Sequence, residues 1–204
     1  MTKERKFIGL KDLTLTLLLS LLTMVIGYIV VPFVTPLGVV LSSIIGGIIP
    51  SLLGGFIYVL IQTKAPRIGT CFVYSLVFAL FYIIIGVPVN AILFIAAGLI
   101  GELTMIHGYG KKWRPLAHYI IHWLTYTYAA TFQYLFMRDA AVQAFVSSGM
   151  EEVAAIAAVD SYAAVYTAPQ NILLFGACTI VAATLGYFIG TKVLRKHFAP
   201  AGVA

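Results

Sequence analysis

Apolar residues fill this chain in long blocks, and short polar or Pro/Gly-containing segments separate them. Six blocks have roughly the 18–25 residues that carry a helix across a hydrocarbon core. They predict spans at residues 13–31, 37–62, 68–85, 88–106, 115–137 and 169–191. The apolar/polar alternation that a membrane barrel needs is absent. An all-α membrane protein with six transmembrane helices is therefore expected.

Residues 138–168 break the pattern, being too polar to span and too apolar for a free linker. Ser148 and Glu151 have capping-box spacing, and Glu152 adds favourable charge to a first turn. Val153, Ala154, Ile156 and Ala157 then give one apolar face up to about Val165. A short extracellular helix between the fifth and sixth spans follows, with residues 139–145 as another turn or two. It either rests on lipid or covers a pocket. Lacking any Lys or Arg after Arg138, it has no cationic face for anionic lipid, which favours the lid.

Small residues recur at helical spacing. Thr16/Ser20 and Thr23/Gly27 are each four apart in the first span, a spacing that allows close helix approach. The approach is either packing within this chain or docking by another membrane subunit. Ala182, Gly186 and Gly190 form a similar stripe in the last span, and the second span carries Gly46, Gly47, Gly54 and Gly55 around Pro50. Cys71 and Cys178 fall at different depths, so packed thiols are expected rather than a disulfide.

Composition agrees with this pattern. Of 204 residues, 61% are hydrophobic and 10% charged, which excludes an ordinary soluble domain. The net charge of +6 does not point to nucleic acid, because of where the cations lie. Lys3, Arg5, Lys6, Lys11, Lys64 and Arg67 share one side with Lys111, Lys112, Arg114, Lys192, Arg195 and Lys196. That leaves Arg138 alone on the other, so the positive-inside rule puts both termini in the cytoplasm. Membrane lipid, not nucleic acid, accounts for the basic ends. The first span lacks a small-x-small cleavage site and is read as an anchor rather than a signal peptide.

Candidate chemistry is sparse. His118 and His122 have a spacing that suits two metal ligands, but no third ligand accompanies them, so interhelical hydrogen bonding is expected. Glu102, near the inner end of the fourth span, is expected to meet His107, Lys111 or Arg114. Asn90 either caps the fourth helix or meets a ligand. Tyr126, Ala130, Gln133 and Met137 lie on one stripe, and the Gln133 amide should face protein or a cavity. Arg138 is suited to a carboxylate or phosphate, unless Asp139 simply neutralises it. No Gly-rich phosphate loop is present, so transport energy would have to come from a partner.

At several points the sequence resembles the Trep_Strep integral membrane proteins, regarded as substrate-binding (S) components of energy-coupling factor (ECF) transporters. The resemblance rests on Lys11-Asp12-Leu13, on the run from Gly98 to Leu103, on Phe136-Met137-Arg138-Asp139, and on the last residues from Lys196 to Ala204. It implies a six-helix bacterial membrane protein that captures a small-molecule micronutrient outside. Such a protein docks on a T subunit driven by two ATPase subunits, and no cofactor is expected. The ligand region of the family falls here on Asn90, Gln133, Tyr134, Arg138, Asp139, Gln170 and Asn171. Thr16, Ser20, Thr23 and Gly27 stand in place of the family's Ala-xxx-Ala docking motif.

Two other classes remain in view. A self-contained carrier or channel would show repeat halves or ionisable interior groups, and neither is evident. A membrane-embedded enzyme finds little support: Glu151-Glu152 is similar to one protease motif, but residue 156 is Ile where that motif needs Arg. A vitamin, a precursor, a peptide-like compound and haem are all open as cargo. Haem at the outer end would need Tyr134 or Met137, because His107, His118, His122 and His197 lie on the inner half.

Overall fold

A computed structural model describes residues 7–105 and 113–198, with the side chains of 197 and 198 outside the description. The elements are α1 (Leu10–Val34), α2 (Val39–Lys64), α3 (Thr70–Ile84), α4 (Pro88–Thr104), α5 (Trp113–Phe136), α6 (Arg138–Ser147), α7 (Glu152–Thr167) and α8 (Pro169–Val193). Among the described residues the extended pairing is limited to an isolated bridge between Phe7 and Ile68. The fold is all-helical. By length and composition, three helices are long and apolar enough to cross a membrane: α1 and α8, each with its following turn, and α2. α3 and α4 are apolar but shorter, and α5 has 24 residues with many polar groups.

The polarity of the bundle is reversed relative to a water-soluble one. Leu18, Leu21, Leu22, Ile84, Ile92, Leu103, Leu173, Val181 and Phe188 are exposed, whereas Thr16, Ser20, Thr23, Ser51 and Ser75 are buried. In water such an apolar surface would be costly, but lipid solvates it. The buried hydroxyls of α1 are satisfied within their own helix: Thr16, Ser20 and Thr23 donate to the carbonyls four residues back at 2.8, 2.6 and 3.0 Å.

α2 and α8 cross with their backbones in contact. A Cβ added at Gly55 would collide with the Gly186 backbone, one at Gly186 would lie 2.7 Å from the Leu52 carbonyl oxygen, and one at Gly190 2.7 Å from the Phe56 Cα. The small-residue stripe expected at Ala182, Gly186 and Gly190 is therefore a crossing that only glycine permits at its centre. Beside it the aromatic core packs Tyr58, Tyr74, Phe78, Phe94, Tyr119 and Trp123.

At one end of the bundle the start of α1 lies beside the α2–α3 turn. There Arg67 donates from Nε to Asp12 at 3.2 Å, and Glu102 Oε1 accepts the backbone N–H groups of Cys71 and Phe72 at 2.8 and 3.1 Å. Glu102 thus caps the first turn of α3; of the partners expected for it, His107 and Lys111 lie outside the described residues. The reason for the cap is local: the first N–H groups of a helix have no partner within it, and a carboxylate accepts them at short range. Lys3, Arg5, Lys6, Lys112, Ile106 and residues 199–204 also lie outside the description.

Three local expectations change. α1 continues through Pro32 to Val34 and ends in a 3-10 turn, Thr35–Leu37, rather than stopping at Val31. Between α5 and α8 the turn or two expected at 139–145 is a full helix, α6, which precedes α7. The capping box does not form, because Ser148 donates to the Phe145 carbonyl at 2.7 Å and α7 begins only at Glu152. Gly149, with φ 97°, turns the chain between them in a conformation that glycine favours.

Candidate functional site

At the end of the bundle away from the chain termini, the helix ends leave a cavity of about 540 Å³. Its walls come from the last turns of α1, α3 and α5, the first turns of α2 and α4, and the α6–α7 pair. The floor is built by small residues. Gly46 and Gly47 of α2 lie opposite Tyr126 and Thr127 of α5, and Thr127 shares a 2.8 Å hydroxyl contact with Thr179 of α8. Tyr126 donates to the Gly27 carbonyl at 3.3 Å. A side chain at residue 27 would press on that ring, since a Cβ there already sits 3.6 Å from its hydroxyl.

Tyrosines dominate the lining: Tyr28, Tyr82, Tyr126, Tyr134, Tyr162 and Tyr166. Tyr134 stacks on Tyr166 at 5.5 Å and contacts Tyr162 at 5.8 Å, which joins α5 to α7. Tyr166 also shares a 2.9 Å hydrogen bond with Ser43 of α2. α7 is therefore fastened on two sides while its inward rings line the cavity. Burial pushes the Tyr166 phenol above its ordinary value, partly opposed by the bond to Ser43, so it is neutral throughout the physiological range.

Among the described residues no charged side chain lines the cavity. Its sharpest polar feature is Asn90, whose side chain is 1% exposed and whose Oδ1 is buried without a hydrogen-bond partner. Leaving a buried amide oxygen unsatisfied costs about 1–3 kcal/mol, so a donor within the cavity would be favoured there. Asn90 does not cap α4, where Val87 holds the cap position with no side-chain bond. The Gln133 side chain lies across the same space.

Of the seven residues expected at the ligand region, Asn90, Gln133 and Tyr134 line this cavity together. Arg138, Asp139, Gln170 and Asn171 do not. Arg138 donates from Nε and Nη2 to Asp160 at 2.8 and 2.6 Å, with Asp139 at 3.8 Å, and it sits on the outside of the α6–α7 pair. Asn171 donates to the Val165 carbonyl at 2.9 Å and joins α7 to α8, and Gln170 is exposed. Sequence reasoning misses Asp160, Ser43 and the tyrosine lining. The four-residue spacing of Tyr162 and Tyr166 is the signal that was available, since it sets both rings on one face of α7.

Elsewhere, Thr16, Ser20, Thr23 and Gly27 face inward and are buried by this chain's own helices, which is the packing alternative for that stripe. His118 and His122 are buried and hydrogen-bonded between helices. Tyr58 lies 2.8 Å from His118 Nδ1, and the Ser75 hydroxyl lies 3.2 Å from His118 and 3.0 Å from His122. Among the described residues no group of His, Cys, Asp and Glu is arranged to hold a metal ion.

The family model described as a hypothetical bacterial integral membrane protein (Trep_Strep) matches residues 10–199. No curated protein and no solved structure matches the chain.

Proposed function

The chain belongs to the Trep_Strep family of bacterial integral membrane proteins, and on that premise we propose that it is the substrate-capturing S component of an ECF-type importer. It is a multi-pass protein of the cell membrane, with the cation-poor end facing outward and both termini in the cytoplasm. A small molecule enters the cavity between the helix ends and is held under α7. The loaded protein then docks on a T subunit, and two ATPases drive release inward.

One observation carries this reading: a cavity of about 540 Å³ at the end opposite the basic termini, with the unpaired Asn90 oxygen inside it. A volume in the range of about 300–1,000 Å³ with few convergent polar groups is typical of small-molecule sites. The absence of a phosphate loop in the sequence is in keeping with energy supplied by partners.

Reconstitution tests it. Alone in liposomes, the purified protein is expected to bind cargo without moving it, and transport is expected only after the T subunit and ATPases are added. Unaided transport would replace this reading with a self-contained carrier, and chemical conversion of the cargo would replace it with a membrane-embedded enzyme.

A further inference from the structure

We infer that the cavity takes an uncharged, flat heteroaromatic compound that presents an amide-like edge, an N–H beside a C=O, to the side chain of Asn90. The inference rests on the capture reading and names its substrate class.

Charge is the first argument. Among the described residues no cationic or anionic side chain lines the cavity, so an ion entering it would lose water and gain no counter-charge from them. The segment over residues 138–168 adds a sign. It carries Asp139, Glu151, Glu152 and Asp160 against the single Arg138, whose guanidinium is already engaged by Asp160. That excess of negative charge disfavours the approach of carboxylates or phosphates. An organic cation would not be repelled, but among the described residues no carboxylate lines the cavity to hold it.

Shape and hydrogen bonding supply the rest. Six tyrosines line a space bounded by rings that already stack on one another, as Tyr134 does on Tyr166 at an interplanar angle of 21°. Aromatic walls favour a flat guest over a branched aliphatic one. Asn90 Oδ1 lacks a donor, and the same planar group carries an N–H donor beside it. A carboxamide of this kind is met reciprocally by an N–H and C=O held side by side in a ring. Gln133 lines the same space and serves the opposite edge of the guest.

Binding to the purified full-length protein in nanodiscs provides the test, read by quenching of tyrosine fluorescence. Three flat probes of similar size are compared: lumichrome, which is an uncharged ring imide, the N-methylacridinium cation, and anthracene-2-carboxylate. Lumichrome is expected to bind saturably and the two ions at least about tenfold more weakly. Asn90→Leu, close to isosteric, is expected to weaken lumichrome about tenfold or more, the loss of two hydrogen bonds. Gly46→Val places bulk where a Cβ meets nothing closer than 3.9 Å and fills part of the cavity, so it too should weaken binding while α-helical content stays unchanged.

Tighter binding of either ion, no saturable lumichrome binding, or lumichrome binding indifferent to both substitutions would each overturn the inference. An ion that binds and is lost in both variants would overturn the ligand class and leave capture standing. Whether capture itself fails is decided separately, by the liposome experiment.

Discussion

Ser43 near the start of α2 and Tyr166 near the end of α7, 123 positions apart, meet through their hydroxyls at 2.9 Å across the mouth of the cavity. That bond is a direct tie between α7 and α2, whereas Tyr134 secures α7 to α5 by ring contact. Tyr166→Phe keeps the stacked ring and removes the tie. Ligand release is expected to quicken by about three- to tenfold, in line with about 0.5–1.5 kcal/mol for one hydrogen bond. Stopped-flow dissociation of bound probe measures it, and an unchanged rate would show that α7 is held without Ser43.

Arg138 and Asp160 brace the α6–α7 pair from outside. Both side chains are substantially exposed, so solvent screens the pair and it contributes no more than about 1 kcal/mol. Arg138→Ala and Asp160→Ala are therefore expected to produce the same small loss of capture, with complex assembly intact and faster amide exchange over α7. If Arg138 instead touched the cargo, Arg138→Ala alone would weaken capture and Asp160→Ala would leave it unchanged or improve it.

The glycine crossing predicts the largest stability effect. Gly186→Leu forces the side chain into the α2 backbone at Ser51 and Leu52, atoms that cannot swing aside. A loss of about 3 kcal/mol or more is expected, at the upper end of overpacking costs. Thermal unfolding in mild detergent reads it. At Gly9, where nothing lies near an added Cβ, alanine should be close to neutral.

Glu102 makes a quieter contribution. Its Oε1 accepts two backbone N–H groups at the start of α3, and Glu102→Ala leaves both without that acceptor. A loss of about 1–3 kcal/mol is expected, with Glu102→Gln recovering part of it because an amide oxygen still accepts. Equal stability of the alanine and glutamine variants would show that water replaces the carboxylate.

Binding of an uncharged guest should be flat between about pH 5.5 and 8.5, because among the described residues no histidine, carboxylate or thiol lines the cavity. The limit comes at high pH. Burial raises the Tyr166 phenol, so the folded protein holds that proton more tightly than the unfolded chain. Its contribution is complete below the ordinary phenol value of about 10 and is lost as pH rises through the higher value of the folded protein. Titration of probe affinity against pH checks both halves. A sigmoid centred near pH 6.5 would point to a histidine acting on the site.

Much of this fold is legible from the chain because lipid imposes a simple code. Long apolar runs mark α1, α2 and α8, and the spacing of Ala182, Gly186 and Gly190 marks a close crossing. The site is legible only in part. Asn90, Gln133 and Tyr134 stand out as amides and a phenol at apolar helix ends, and they converge on one cavity. Arg138 stands out more strongly and lies elsewhere, since its true partner, Asp160, is 22 positions away on a helix whose packing no local pattern reveals. The α3 cap made by Glu102 is not legible, because sequence shows side chains whereas the N–H groups it accepts belong to the backbone. Ser148 misleads: its hydroxyl turns back to a carbonyl that letters alone do not display.

Where α2 and α8 touch main chain to main chain, no side chain is left to change rotamer and no gap is left to slide through. These two helices must travel as a single strut. Any widening that lets cargo in or out is thereby assigned to the opposite partners, the α3–α4 hairpin and the α6–α7 pair, which lean on the strut through replaceable side chains. The packing is that of a stiff spine with a looser flank, and the cavity lies at the seam between them.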